Sequence, residues 1–151
     1  MKTLRSLLIL FAMTMSLVAC SFFHSSGQTT INLQSAHYLN PDMNGRASPL
    51  VVTVFQLKSP FTFKQASFDQ LMGNSSATLG ADLIDKETVE IRPNATKQIK
   101  FPLDNDTAYV GVVAAYRDIS QAKWHTVVKI VPKKHNIIDI SLESKGIIVK
   151  Q

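Results

Sequence analysis

Short segments in which apolar and polar residues alternate dominate the chain from Thr29 onward, as where Ile31 and Leu33 alternate with Asn32 and Gln34. Successive side chains of a β-strand point to opposite faces, so this period of two predicts strands with one buried face. About eight such segments, separated by turn residues, occur in about 120 residues, which predicts an all-β fold, a two-sheet β-sandwich. The predicted strands cover 31–39, 50–57, 89–92, 99–103, 109–116, 124–130, 138–143 and 147–149.

Two of the predicted strands are apolar on both faces, Leu50–Leu57 and Tyr109–Tyr116, which is typical of strands in the middle of a sheet. Pro132–His135 lies between two further strands and is predicted as a hairpin loop. Trp124, the only Trp, alternates with apolar residues, which favours packing in the core over an exposed binding anchor.

One helical insertion is predicted after the second strand. Three apolar residues have the spacing of one helix face: Phe68, Leu71 and Met72. Ser67 is a suitable residue to cap the start of this helix, and Gly73 is a suitable residue to end it. Residues 79–84 are predicted as a second short helical turn.

The N-terminal segment has the organisation of an export signal. Lys2 and Arg5 form a positive n-region, and Ser6–Ala19 is mostly apolar but shorter than the roughly 18 to 20 residues of a membrane span. Ala19 and Cys20, the only Cys, resemble the lipobox of bacterial lipoproteins, in which the Cys thiol takes a diacylglycerol and the signal is cut before it. The alternative is an ordinary secretory signal with a chance Cys.

The predicted organisation is a lipoprotein signal peptide over 1–19, the lipidated Cys20 with a tether over 20–28, and the β-sandwich domain over 29–151. In bacterial lipoproteins of this kind an Asp after the Cys often signals retention in the inner membrane. Ser21 stands at that position and therefore predicts the outer membrane, facing the periplasm.

Composition argues against several classes of function. The net charge of +5 falls to +3 once Lys2 and Arg5 are removed, and no dense basic block exists, so nucleic acid is not an expected partner. Metal binding is not expected because the four His residues form no H-x-x-x-H pair. No nucleophile elbow or Gly-rich phosphate loop occurs, so no enzymatic site is predicted.

The segment Leu39–Pro49, between the first two strands, is long for a hairpin loop and holds two Pro and one Gly. It also carries Met43 and Arg46, residues of the type that contact partners when exposed. A loop of this kind on a rigid sandwich is a good place for recognition. The alternative is a simple connector whose Pro residues prevent edge pairing.

The mature chain resembles, over nearly all of its length, the TssJ family of outer-membrane lipoproteins of the bacterial type VI secretion system. The resemblance is carried by Cys20, 39–41, 45–52, 56–58, Phe61, Phe63, Phe68, Leu71, 79–80, 82–83, 109–112, 114–118 and Trp124. The chain departs from the family at Ala47, where Pro is common, and at His125, where Arg is frequent after the Trp.

The resemblance implies a transthyretin-like sandwich with a short helical insertion and a non-catalytic role. It implies that the protein binds the periplasmic C-terminal region of TssM, an inner-membrane protein, and so helps fix the trans-envelope complex made with TssL. The implied partner-binding residues lie in the segment between the first two strands, with Met43 and Arg46 in direct contact. They are Asn40, Pro41, Asp42, Met43, Asn44, Gly45, Arg46, Ala47, Ser48 and Pro49. Lipid attachment maps to Cys20, with no other cofactor and no small-molecule substrate.

Two alternatives belong to other classes. One is an envelope lipoprotein of another assembly or a small-ligand-binding sandwich, which a deep apolar cavity would favour and a filled core would disfavour. The other is an enzyme on the same fold, as in the transthyretin-like hydroxyisourate hydrolases, which end in Tyr-Arg-Gly-Ser. This chain ends in Ile148–Gln151, and its Tyr116-Arg117 pair is followed by Asp118.

Overall fold

A computed structural model describes residues 27–150 as eight strands with a helical insertion after the second. The predicted signal peptide and Cys20 lie outside the described residues. The strands are β1 Gln28–Ser35, β2 Leu50–Leu57, β3 Leu83–Ile91, β4 Thr96–Pro102, β5 Tyr109–Ala114, β6 His125–Lys129, β7 His135–Glu143 and β8 Gly146–Lys150. The insertion holds α1 Phe61–Gln65, α2 Phe68–Leu79 and a 3₁₀ turn at Gly80–Asp82. Within these residues no helix has the length and apolarity of a membrane span.

The strands form two four-stranded sheets, as the predicted sandwich requires. The first sheet has the order β4-β1-β7-β8 and the second has the order β3-β2-β5-β6. β1 and β7 pair in parallel, whereas every other pair of neighbours is antiparallel. β2 and β5, the two strands predicted to be central, are the two inner strands of the second sheet.

Alternating residues of both sheets meet in the main core. Ile31 and Leu33 of β1 face this core, as do Val52 and Val54 of β2, and all four side chains are at most 2% exposed. Burial of an aliphatic side chain of this size contributes about 1.5–3 kcal/mol, so the period-two pattern accounts for how the sheets hold together.

The helical insertion covers the outer face of the second sheet with a second apolar cluster. Phe63 of α1 and Leu71 of α2 pack there against Phe55 of β2 and Val113 of β5. Both faces of β2 and β5 are therefore buried, which explains why these strands are apolar throughout. α2 begins at the predicted cap Ser67, which forms a capping box with Gln70, so that each side chain accepts from the other residue's backbone N–H.

Three local predictions were wrong. β1 ends at Ser35 rather than Leu39, because the chain turns out of the sheet where the Ser35 hydroxyl donates to the Arg92 carbonyl and accepts from the Ala95 amide. Gly73 does not end α2, which runs on to Leu79 through a kink at Asn74.

The third wrong prediction is the hairpin at Pro132–His135. β6 lies in the second sheet and β7 in the first, so these residues carry the chain from one sheet to the other. Several boundaries also move. The predicted helical turn over 79–84 is shorter, since β3 begins at Leu83, and the strand predicted over 89–92 covers only the C-terminal part of β3. β1 begins at Gln28, the last residue of the predicted tether.

The sandwich has two ends that differ in what they carry. At one end, here called the tether pole, Gln28 pairs with Pro102 and with His135. At the other end, here called the loop pole, β1 ends at Ser35 and β2 begins at Leu50, with the long first loop between them.

Candidate functional site

The first loop, residues 36–49, crosses from the first sheet to the second at the loop pole. Its two ends are held by Leu39 and Leu50, whose side chains are fully buried in the main core. The Ser48 amide donates to the Leu39 carbonyl over 2.9 Å and closes the loop at its base. The ten residues predicted to bind a partner therefore form one closed protrusion on a packed base.

The carboxylate of Asp42 organises the tip of this loop. Its Oδ1 accepts from the amides of Asn44 and Arg46, each at 2.9 Å, and its Oδ2 accepts from the Arg46 guanidinium at 2.8 Å. The Asp42 amide in turn donates to the Arg46 carbonyl over 2.9 Å. The Arg46 amide is the largest cause of a lowered pKa at Asp42, so this carboxylate stays ionised.

Asn40 joins the first loop to its neighbour at the same pole. Its side-chain amide donates to the Pro49 carbonyl over 2.9 Å, and its Oδ1 accepts from the Arg117 amide over 2.9 Å. Asn40 has φ +44°, a left-handed conformation that Asn tolerates better than most residues. The loop is thereby fixed to residues 115–124, which connect β5 with β6.

Of the ten residues predicted to bind a partner, four are at least half-buried and six are exposed. Asn40 and Ser48 are buried, and Pro41 and Asp42 are half-buried, so these four shape the loop. Six residues are exposed: Met43, Asn44, Gly45, Arg46, Ala47 and Pro49. Met43 is 102% exposed, so its thioether chain contacts nothing in this chain.

Sequence reasoning missed Tyr38, a residue of the first loop, and a cleft beside the loop. Tyr38 is 50% exposed, and its hydroxyl lies 3.0 Å from where a Cβ on Gly45 would be. Tyr116, Asp118 and Lys145 line a cleft of about 90 Å³ beside Asn40. Tyr38 directly precedes the predicted segment Leu39–Pro49, so its position in the sequence could have indicated it. The cleft could not be predicted, because it depends on which loops lie at the same pole.

The remaining candidate residues do not form a chemical site. Within residues 27–150 no group of three His, Cys, Asp or Glu side chains is placed to hold a metal ion. Trp124 is half-buried and packs edge-on against Phe68 with ring centroids 5.6 Å apart, at the margin of both apolar clusters rather than within the core. A groove of about 500 Å³ on the first sheet is lined mainly by polar side chains such as Asn32 and Gln98.

Comparison with known proteins decides the family. The family model described as type VI secretion lipoprotein, VasD, EvfM, TssJ matches residues 27–145. The chain belongs to this TssJ family. The family is a structural lipoprotein component of the type VI secretion system. No curated protein sequence matches significantly.

Solved structures agree with the TssJ assignment. The T6SS lipoprotein TssJ1 from Pseudomonas aeruginosa is 32% identical, with a TM-score of 0.78 over 83% of this chain and 98% of that one. Serratia marcescens Lip, described as a membrane bound component of the system, is 19% identical, with a TM-score of 0.78 over 84% and 99%. A chain in the structure described as the T6SS protein TssM C-terminal domain from EAEC is 20% identical, with a TM-score of 0.67 over 82% and 98%.

Proposed function

We propose that this TssJ-family protein is anchored in the outer membrane through lipid on Cys20 and binds the periplasmic region of TssM through its first loop. In this role it helps assemble the trans-envelope membrane complex that TssM forms with TssL, so TssL is an indirect partner. The observation that carries the proposal is a braced loop with a fully exposed Met43 at the pole opposite the predicted anchor.

The loop has the physical properties of a preformed binding element. Its backbone is fixed by Asp42 and Asn40, so little conformational entropy is lost when it binds. Met43 offers a flexible apolar side chain that adapts to a partner's surface, and the Arg46 side chain is 74% exposed despite its ion pair. The interior between the sheets is filled by core side chains, which favours an adaptor over the small-ligand alternative.

Calorimetry of the full chain with the TssM periplasmic domain tests the loop. Met43→Ser removes an exposed apolar side chain that has no internal contact, so we expect at least tenfold weaker binding with unchanged stability. Ile137→Ser is the matched control, because Ile137 is 65% exposed on β7 and away from the loop. Equal affinities for wild type and Met43→Ser would remove this residue from the interface.

Arg46 needs a different treatment because it also braces Asp42. Arg46→Ala is expected to weaken TssM binding, but the loss includes the changed shape of the loop. Arg46→Lys keeps the charge and loses the two-point contact with Asp42, so it separates the charge of residue 46 from its bracing role. If both variants bind like wild type, Arg46 is not part of the interface.

Cell fractionation tests the anchor. Cys20→Ser removes the only thiol that can carry the acyl chains, so we expect the protein in the soluble periplasm and secretion lost. Cys20→Ser protein that still fractionates with the outer membrane would contradict the proposed anchor. Mass spectrometry of the wild-type mature N-terminus provides the direct check for the acyl mass on Cys20.

A further inference from the structure

The loop between β6 and β7, residues 130–134, forms an exposed basic protrusion at the tether pole. Val131, Pro132, Lys133 and Lys134 are all exposed, and Val131 remains 52% accessible although it is a large apolar residue. The first loop and the function proposed for it make no use of these residues. Two adjacent lysines beside an apolar pair are suited to a surface that combines negative charge with an apolar interior.

This β6–β7 loop is held rigidly by one side chain. The Asn136 amide group donates to the carbonyls of Val131 and Lys134 at 2.9 and 3.0 Å, and its Oδ1 accepts from the Val131 amide at 2.8 Å. Lys133 has φ +61°, a left-handed conformation that the surrounding hydrogen bonds maintain. The two lysines therefore stand on a fixed turn.

The β6–β7 loop lies against the residue where the described chain meets the predicted tether. A Cβ on Gly27 would lie 2.8 Å from the Lys134 carbonyl oxygen and 3.0 Å from the Lys133 Cα. The Leu103 amide donates to the Gly27 carbonyl over 2.8 Å and pins the chain from the other side. Seven residue steps separate Cys20 from Gly27, and these span at most about 25 Å.

We propose that the β6–β7 loop rests on the anionic phospholipid headgroups of the membrane that carries the Cys20 acyl chains. The inference depends on the lipid anchor of the proposed function. A lysine near an anionic membrane strengthens binding about fivefold, and the short tether keeps Lys133 and Lys134 close to that surface. This contact orients the sandwich, so that the first loop at the opposite pole points away from the membrane.

Charges near the tether pole are consistent with this contact. Asp106, on the neighbouring β4–β5 connection, is paired with Lys58 at 2.9 Å, so its charge is offset locally. Asp104 is exposed on the same connection, and Lys129 adds a further positive charge at the end of β6. Asp82 and Asp85 lie at the same pole, but at the start of β3, the edge strand farthest from β6 in the second sheet. On the β6 side of the pole, Lys129, Lys133 and Lys134 outnumber Asp104.

Fluorescence quenching on vesicles tests the contact with the full lipidated chain. Because Cys20 is the only Cys and carries the lipid, Val131→Cys supplies a single thiol for a fluorophore. The vesicles contain phosphatidylethanolamine and phosphatidylglycerol with a nitroxide on a fraction of the headgroups. Met43→Cys, at the opposite pole, is the matched control, and we expect severalfold stronger quenching at position 131 than at position 43.

Charge reversal tests whether the two lysines, and not the short tether alone, bring the β6–β7 loop to the headgroups. Lys133→Glu/Lys134→Glu is expected to lower quenching at position 131 severalfold, whereas Lys123→Glu/Lys145→Glu makes the same charge change at the loop pole and leaves it unchanged. Equal quenching at 131 and 43, or no response to Lys133→Glu/Lys134→Glu, would overturn the contact if the protein still floats with the vesicles. Protein that does not float would overturn both the contact and the lipid anchor.

Discussion

Single polar side chains determine the shape of the first loop. Asp42 accepts from two amides and one guanidinium, and Asn40 bridges the loop base to Arg117. Each satisfies backbone groups that a loop without a ladder partner would otherwise leave to water. The exposed tip is therefore held without burying any of its own apolar surface.

Gly45 is the position where the loop most needs glycine. Its φ of +76° costs about 1–2 kcal/mol for a residue with a Cβ, so Gly45→Ala is expected to lower the free energy of unfolding by about that amount. Gly73→Ala is the control, since nothing lies within 4 Å of its Cβ position in α2 and Ala is the better helix former. Urea denaturation checks both, and an unchanged stability of Gly45→Ala would contradict the strain at this position.

His125 gives the fold a dependence on pH. Its ring packs at a tilt of 42° against Trp124 with centroids 4.0 Å apart and meets Phe63 edge-on at 6.1 Å. Burial lowers the pKa of His125, and the charge of Lys123 adds to this effect. The folded protein therefore resists protonation that the unfolded chain accepts near 6.5, so stability falls as the pH drops through that value.

The His125→Phe variant isolates this effect. It keeps an aromatic ring beside Trp124 and cannot be protonated, so its free energy of unfolding should fall less than that of wild type between about pH 7.5 and about pH 5.5. Urea denaturation at the two pH values measures the difference. An equal fall in both proteins would assign the pH dependence to other groups.

At the scale of elements, the Phe63 ring packs helix α1 against the second sheet. Phe63 is fully buried, and its ring lies where a Cβ on Gly111 of β5 would be, at 2.7 Å. Gly111 therefore provides the space for α1 to approach the sheet, although glycine is a poor strand former.

A double-mutant cycle tests this packing. Gly111→Ala is expected to destabilise the protein by about 1–3 kcal/mol through overpacking. Phe63→Leu makes room at the same place, so Gly111→Ala should cost clearly less in that background. Thermal or urea unfolding of the four proteins gives the coupling energy, and additive effects would mean that Phe63 does not impose the need for glycine at position 111.

The elements that the sequence predicted correctly share a local cause. β1 and β7 follow from period-two alternation, β2 follows from its apolar residues on both faces, and the start of α2 follows from the Ser67 cap and the spacing of Leu71. The loop residues were also predictable, because Pro and Gly interrupt the strands there. These signals depend only on neighbours in the chain.

The elements that were missed depend on contacts far apart in sequence. Nothing in Pro132–His135 indicates that the next strand joins the other sheet in parallel with β1. α2 continues past Gly73 because Leu71 and Leu79 are both buried on the second sheet, and the packing of these two outweighs a weak helix former. The brace from Asn40 to Arg117 spans 77 positions and likewise has no local signal.

At the scale of the whole molecule, the length of the strands separates the two proposed sites, the membrane contact at the tether pole and the TssM-binding first loop. β1 begins at Gln28 beside the tether and ends at Ser35 before the first loop, and its eight residues extend about 26 Å. In the proposed function, this separation keeps the TssM-binding loop away from the membrane that carries the anchor. The arrangement suits a structural lipoprotein of the type VI secretion system.

Photo-crosslinking in cells that assemble the whole secretion system tests the central proposal most directly. A p-benzoylphenylalanine residue replaces Met43 at the loop tip, or Ile137 on the exposed face of β7 as the control. We expect a covalent adduct with TssM from position 43 and none from position 137. An adduct from position 137 alone, or no TssM adduct from position 43 while secretion remains active, would contradict the proposed role of the first loop.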